Sequence, residues 1–257
     1  MNLELDQKYF LVTGASRGIG KSIAESLLRE GANVGLVARG QVQLDQTVDE
    51  LRQQFEEERV FGWSTNCADK VALHELRLQI IQQWEHLDGV IANVGDGRSV
   101  PDAIPDAEQW SKVWQINFET ALNTARVFLP LLKESKGSLL FISSITGLEA
   151  IGAPVDYSTA KTAVIAFAQN LARKVGPEVR VNVISPGNVH FPGSSWEVKI
   201  KAEPVKVKQM LQTTVPMKRF GTPEEIADAA AFLCSSRASF ITGSVMVVDG
   251  GQTVSLL

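Results

Sequence analysis

A chain of 257 residues is too short for two ordinary α/β domains and ample for one, whose core needs no disulfide or metal staple. Hydrophobic residues at 44% against 21% charged exclude a disordered or fibrous chain, and a formal net charge of −4 supplies no broad basic field for nucleic acid or an anionic membrane. Cys67 and Cys234 stand far apart without CxxC spacing, the first residues carry no basic leader, and no apolar run reaches about eighteen residues, so a reduced, cytoplasmic protein with no metal or membrane partner is expected.

Short apolar or β-branched runs alternate with longer segments of helical period. In chain order they predict strand 9–13, helix 19–30, strand 34–38, helix 42–58, strand 60–64, helix 70–84, strand 89–92, helix 107–133, strand 138–142, helix 155–175, strand 179–184, helix 223–233 and strand 245–248. The helices space their apolar residues by three and four, as in Val164, Phe167, Ala168 and Leu171. Gly31 follows the first helix where a C-terminal cap favours positive φ, and Thr222-Pro223-Glu224-Glu225 opens the last with a capping box. Several strands lack polar alternation, as strands covered on both faces do. The repeated βαβ order predicts one α/β domain over 1–257, a doubly wound parallel sheet of about seven strands flanked by helices. One stretch, about 188–221, breaks the pattern and is expected to be an irregular substrate loop or lid.

The first strand runs into Thr13-Gly14-Ala15-Ser16-Arg17-Gly18-Ile19-Gly20 and then a helix. Glycines there permit a tight turn and a close backbone approach to a pyrophosphate, which the free N–H groups of the helix start would receive. Gly14, Ser16, Arg17, Gly18, Ile19 and Gly20 are therefore candidate cofactor contacts, although the spacing is GxxxGxG rather than GxGxxG. The second strand ends at Ala38-Arg39 with no acid to bind a ribose 2′-hydroxyl. Arg17 and Arg39 would instead converge on a 2′-phosphate, favouring NADP(H) over NAD(H).

Tyr157 and Lys161 share one face of a helix, one turn apart, and an ammonium there would lower the phenol pKa toward neutrality. The strand before that helix ends at Ser143-Ser144, and C-terminal strand ends line the ligand crevice of such sheets. With these residues the sequence resembles the classical short-chain dehydrogenase/reductase family over nearly its whole length. The resemblance rests on Thr13 to Gly20, Asn93 and Gly95, Asn117, Ser144, Tyr157 with Lys161, and Pro186-Gly187. The stretches 219–225 and 241–251 are similar to the 3-oxoacyl-carrier-protein reductase branch, and the family's thirteen-residue spacing to Tyr157 selects Ser144 over Ser143.

The resemblance implies a Rossmann-type oxidoreductase that interconverts a ketone and a secondary alcohol. Tyr157 would give a proton to the substrate oxygen, Ser144 would hydrogen-bond that oxygen, Lys161 would hold the cofactor's ribose, and Asn117 would anchor a water. It further implies cofactor contacts at Asn66, Cys67, Asn93, Gly95, Pro186, Gly187 and Val189, a small-molecule carbonyl or alcohol substrate, and a homotetramer or homodimer. Three departures stand out: Val94 within Asn93-Val94-Gly95, Asn66 for an aspartate beside adenine, and Phe191 for a threonine near the nicotinamide amide, with Ser194 as a substitute for its hydroxyl. Arg98, His190 and Trp196 are candidate substrate contacts, and Lys199, Lys201, Lys206 and Lys208 form a basic run that would suit an acidic carrier. The alternatives are an NAD-linked sugar or polyol dehydrogenase and, from another class, a dinucleotide-binding scaffold without turnover. No residue pattern in 188–221 distinguishes an acyl chain, a keto-sugar or a steroid.

Overall fold

Strands that read as unbroken apolar runs do so because each one feeds two core layers at once. The computed structural model describes residues 2–254. In β1 (Tyr9–Thr13), Phe10 and Val12 join one layer and Leu11 the other. The chain continues through α1 (Gly18–Arg29), β2 (Asn33–Ala38), α2 (Gln41–Arg52), β3 (Val60–Ser64), α3 (Lys70–Gln83), β4 (Gly89–Ala92), α4 (Ala107–Trp114), α5 (Thr120–Ser135) and β5 (Ser138–Ile142). It closes with α6 (Val155–Val175), β6 (Arg180–Pro186), α7 (Ser195–Ala202), α8 (Pro204–Thr214), α9 (Pro223–Cys234) and β7 (Val245–Val248). The same period-two division recurs in β5, where Leu140 and Ile142 face one layer and Leu139 and Phe141 the other.

The seven strands form one parallel sheet in the order β3-β2-β1-β4-β5-β6-β7, the expected doubly wound architecture. Residues of α1, α2 and α9 fill the layer on one face, among them Ile23, Leu27, Leu44, Val48, Ile226 and Ala230. Residues of α3, α5 and α6 fill the other, including Leu73, Leu76, Phe128, Val164 and Ala168. Among the described residues no helix is long and apolar enough to cross a membrane.

Three expected elements are corrected. Helix 42–58 ends at Arg52: Phe55 turns in to pack on the first core layer, and a longer helix would place Glu56, Glu57 and Glu58 against its own negative end. Helix 107–133 is interrupted by a π-helical turn at Gln115–Glu119 between α4 and α5. The stretch 188–221 is not irregular, for it folds into α7 and α8. Ser194 caps α7 by accepting from the Glu197 N–H, and Pro204 opens α8. Only Val207 and Leu211 of the two helices are buried, so no helical period was there to read.

At the junction of β1 and α1 packing leaves no room for a side chain. A Cβ on Gly20 would lie 2.4 Å from the Gly14 carbonyl oxygen, a backbone atom that cannot swing aside. Gly20→Ala should lower stability by about 2 kcal/mol, whereas Gly40→Ala, where a Cβ meets nothing within 4 Å, should stay within about 0.5 kcal/mol. Urea midpoints of the two variants make the comparison; equal effects would contradict the steric account.

Candidate active site

The strand order reverses between β1 and β4, and a cleft of about 1100 Å³ opens at their C-terminal ends. Asn93 stitches the two strands together there. Its N–H donates to Thr13 Oγ1 at 3.1 Å, and its amide donates to the Thr13 and Gly14 carbonyls at 3.0 and 3.2 Å. Gly14, at φ +68°, makes a left-handed turn that favours glycine. α1 then starts at Arg17 with no side-chain cap, whereas Asp69, Asp106 and Ser194 cap α3, α4 and α7. The first N–H groups of α1 are thus open to an anion at the positive end of the helix dipole, as the pyrophosphate of a dinucleotide requires.

Ser144 follows β5 and lines the cleft with Tyr157; its Oγ accepts from the Thr146 N–H at 3.2 Å. The neighbouring Ser143 also lines the cleft, but its hydroxyl donates to the Lys161 carbonyl at 2.8 Å. Lys161 is 4% exposed, and its Nζ donates to the Ile142 carbonyl at 3.1 Å. Gly95 accommodates the ammonium, since a Cβ there would lie 2.8 Å from Nζ. Asn117 sits in the π-helical turn. Its Oδ1 accepts from the Asp96 N–H at 2.9 Å, and its Nδ2 donates to the Asp96 and Val113 carbonyls at 3.0 and 3.1 Å. The amide therefore pins the loop after β4 and keeps no proton for a water.

The electrostatics correct one expectation. Burial pushes the Tyr157 phenol above its ordinary pKa, the Ser144 hydrogen bond draws it back in part, and the Asp96 charge pushes it further up. Lys161 stands 5.9 Å from the ring centroid and does not lower the phenol, because burial depresses the ammonium itself to about 8. Asp96 is held below its usual value: burial opposes ionisation, but hydrogen bonds from Arg98 and the charges of Arg98 and Arg17 prevail.

Most residues singled out from the sequence line the one cleft: Gly14, Ser16, Arg17, Ile19, Gly20, Arg39, Asn66, Cys67, Asn93, Gly95, Arg98, Ser144, Tyr157, Lys161, Pro186, Gly187, Val189 and Trp196. Gly18, at φ +54°, is off the wall because the Phe191 ring lies on it; a Cβ there would come within 2.4 Å of the ring. His190 is also off the wall, its ring turned to Phe220 with centroids 5.6 Å apart. Arg17 and Arg39, expected to converge on a 2′-phosphate, both line this cleft. Arg17 reaches over Gly193, where a Cβ would lie 2.9 Å from its Nη1, while the charge of Arg39 acts on Cys67. Cys67 is buried, which raises its thiol to about 11, so it is no reactive thiolate. Ser194 lines the cleft and its hydroxyl oxygen caps α7. Asp96 and Gly97, which follow Gly95, also line the cleft; Gly193 does too and was missed, since loop residues carry no periodicity.

The model of a family described as enoyl-(acyl carrier protein) reductase matches residues 14–253. The chain is 28% identical to the 3-oxoacyl-[acyl-carrier-protein] reductase of Thermotoga maritima, over 98% of this chain and all of that one. It is 32% identical to the cyclohexanol dehydrogenase of a Rhodococcus species, over 99% of both. The crystal structure of L-sorbose reductase from Gluconobacter frateurii, complexed with NADPH and L-sorbose, superposes with a TM-score of 0.92 at 28% identity over the full length of both chains.

A lysine whose folded pKa is about 8 against its ordinary 10.5 weakens the fold below pH 8, and that penalty fades as pH rises toward 10.5. Lys161→Met removes it at every pH. The variant's stability relative to wild type should therefore fall by about 2 to 3 kcal/mol between pH 7 and pH 10. Urea midpoints at the two pH values test this; a pH-independent difference would contradict it.

Proposed function

The chain belongs to the short-chain dehydrogenase/reductase family of oxidoreductases acting on CH–OH or C=O groups with NAD(P), and from that premise we propose that it acts as a single domain reducing a small-molecule ketone to a secondary alcohol with NADPH. The observation that carries this reading is the pair of hydroxyls, Ser144 and Tyr157, that line the cleft beside the uncapped start of α1.

A bound nicotinamide cofactor supplies the hydride. The chain holds it through the α1 N–H groups and through Gly14, Ser16, Ile19, Asn93, Gly95, Pro186, Gly187 and Val189, with Asn66 and Cys67 on the adenine side. Arg39 and Arg17 favour the 2′-phosphate form, in the absence of an acid at the end of β2. The phenol, kept protonated at neutral pH, is a proton donor rather than a standing base. Tyr157 passes its proton to the substrate carbonyl oxygen, while Ser144 donates a hydrogen bond to the charge that grows there. Lys161, still mostly charged below pH 8, steadies the ribose side of the site. Arg98 and Trp196 bound the substrate end. An apolar groove of about 710 Å³ lined by Ile104, Trp110 and Trp114 supports assembly of several copies through α4.

The proposal is tested by NADPH oxidation over a panel of ketones. Tyr157→Phe should lower kcat/KM about a thousandfold while the NADPH Kd stays near wild type; an unchanged rate would remove Tyr157 from catalysis. Arg39→Ala should weaken NADPH about tenfold and leave NADH unaffected. A parallel loss for both cofactors would mean that Arg39 does not read the 2′-phosphate.

A further inference from the structure

Asp156 immediately precedes Tyr157 and is 1% exposed, yet among the described residues no lysine or arginine pairs with it. A buried carboxylate without a cation is costly, so its other partners matter. Oδ1 accepts from the Tyr157 N–H at 2.7 Å, and Oδ2 accepts from the Ser99 hydroxyl at 2.5 Å. The Ser99 oxygen in turn accepts from Gln109 Nε2 of α4 at 3.2 Å. This relay fastens the far end of the 96–99 loop, whose near end Asn117 already fastens through both backbone groups of Asp96.

Between those two anchors the loop overhangs the phenol. A Cβ on Gly97 would lie 3.7 Å from Tyr157 Cζ and 3.9 Å from its hydroxyl oxygen. Asp96 and Arg98 lock to each other across the glycine, with Arg98 Nε and Nη2 donating to the carboxylate at 2.5–3.0 Å. All three residues line the cleft.

We infer that Asp156 is a positioning residue: through Ser99 and Gln109 it holds the 96–99 loop over Tyr157, so that a ketone is confined against the phenol. The inference rests on the reading of the cleft as a ketone-reducing site. One buried carboxylate thereby couples the helix turn carrying the proton donor to the wall that places the substrate.

Ser99→Ala removes the middle of the relay without changing any charge. It should raise the ketone KM about fivefold with kcat within about twofold, leave the NADPH Kd unchanged, and speed amide hydrogen exchange at residues 97–99. Asp156→Asn turns an acceptor toward Ser99 into a donor and should cut kcat/KM about tenfold. Adding Gln109→Glu to that variant supplies an acceptor at the other end, lets the serine hydroxyl reverse, and should recover kcat/KM to within about threefold of wild type. A role limited to the start of α6 predicts no recovery, because among the described residues the Gln109 side chain hydrogen-bonds Ser99 and no residue of α6. Wild-type kinetics in Ser99→Ala, or a double variant no better than Asp156→Asn, would overturn the relay. If the wild type reduces no ketone, the catalytic reading fails instead, and the exchange rates at 97–99 decide the relay by themselves.

Discussion

The residues at the mouth of this sheet are arranged around one unfavourable act, the burial of the Lys161 ammonium without a carboxylate against it. The Ile142 carbonyl at the end of β5 is its direct acceptor. Gly95 after β4 gives up its side chain to the ammonium, and Gly147 gives up its own to the Lys161 backbone, since a Cβ there would lie 2.8 Å from that carbonyl carbon. Ser143 takes the Lys161 carbonyl oxygen. Two segments far apart in sequence, Gly95 and 142–147, thus conform to one residue. Their positions fix those of Ser144, Asn117 and the 96–99 loop, so the site is paid for in stability and rigid for the same reason.

The sheet follows from the sequence because its cause is local. A strand covered on both faces must be apolar at nearly every position, and β1, β2, β5 and β6 show this in their own residues. The glycine turn is legible for a similar reason: Gly14 and Gly20 answer to constraints set within a few residues or by the adjoining strand end. What escaped the sequence depends on partners that are distant. The end of α2 is decided by where Phe55 packs, and the π-helical turn by the need to aim Asn117 at Asp96. α7 and α8 bury too little to imprint a period.

The chemistry of the site divides along the same line. Residue types and spacing brought Ser144, Tyr157 and Lys161 together, but not the sign of the phenol's shift. That sign is a balance between desolvation, a hydroxyl partner and the charge of Asp96, and only the first is implied by a pocket. Arg17 shows how a charge assigned from sequence can be shared. It reaches across Gly193 and its field falls on Asp96, so one guanidinium acts both at the approach to α7 and on the loop after β4.

Phe191 illustrates what a departure from a family pattern does physically. A threonine at this place would offer a hydroxyl to the cofactor; the phenyl ring offers none and lies on Gly18 instead. Gly18 is in the left-handed region, and the ring would collide with any side chain there, so two separate constraints now require glycine at one position. The ring also shields one side of the uncapped start of α1 from water. A partial charge acts more strongly across an apolar wall than across solvent, so the ring strengthens the field that the helix end projects into the cleft.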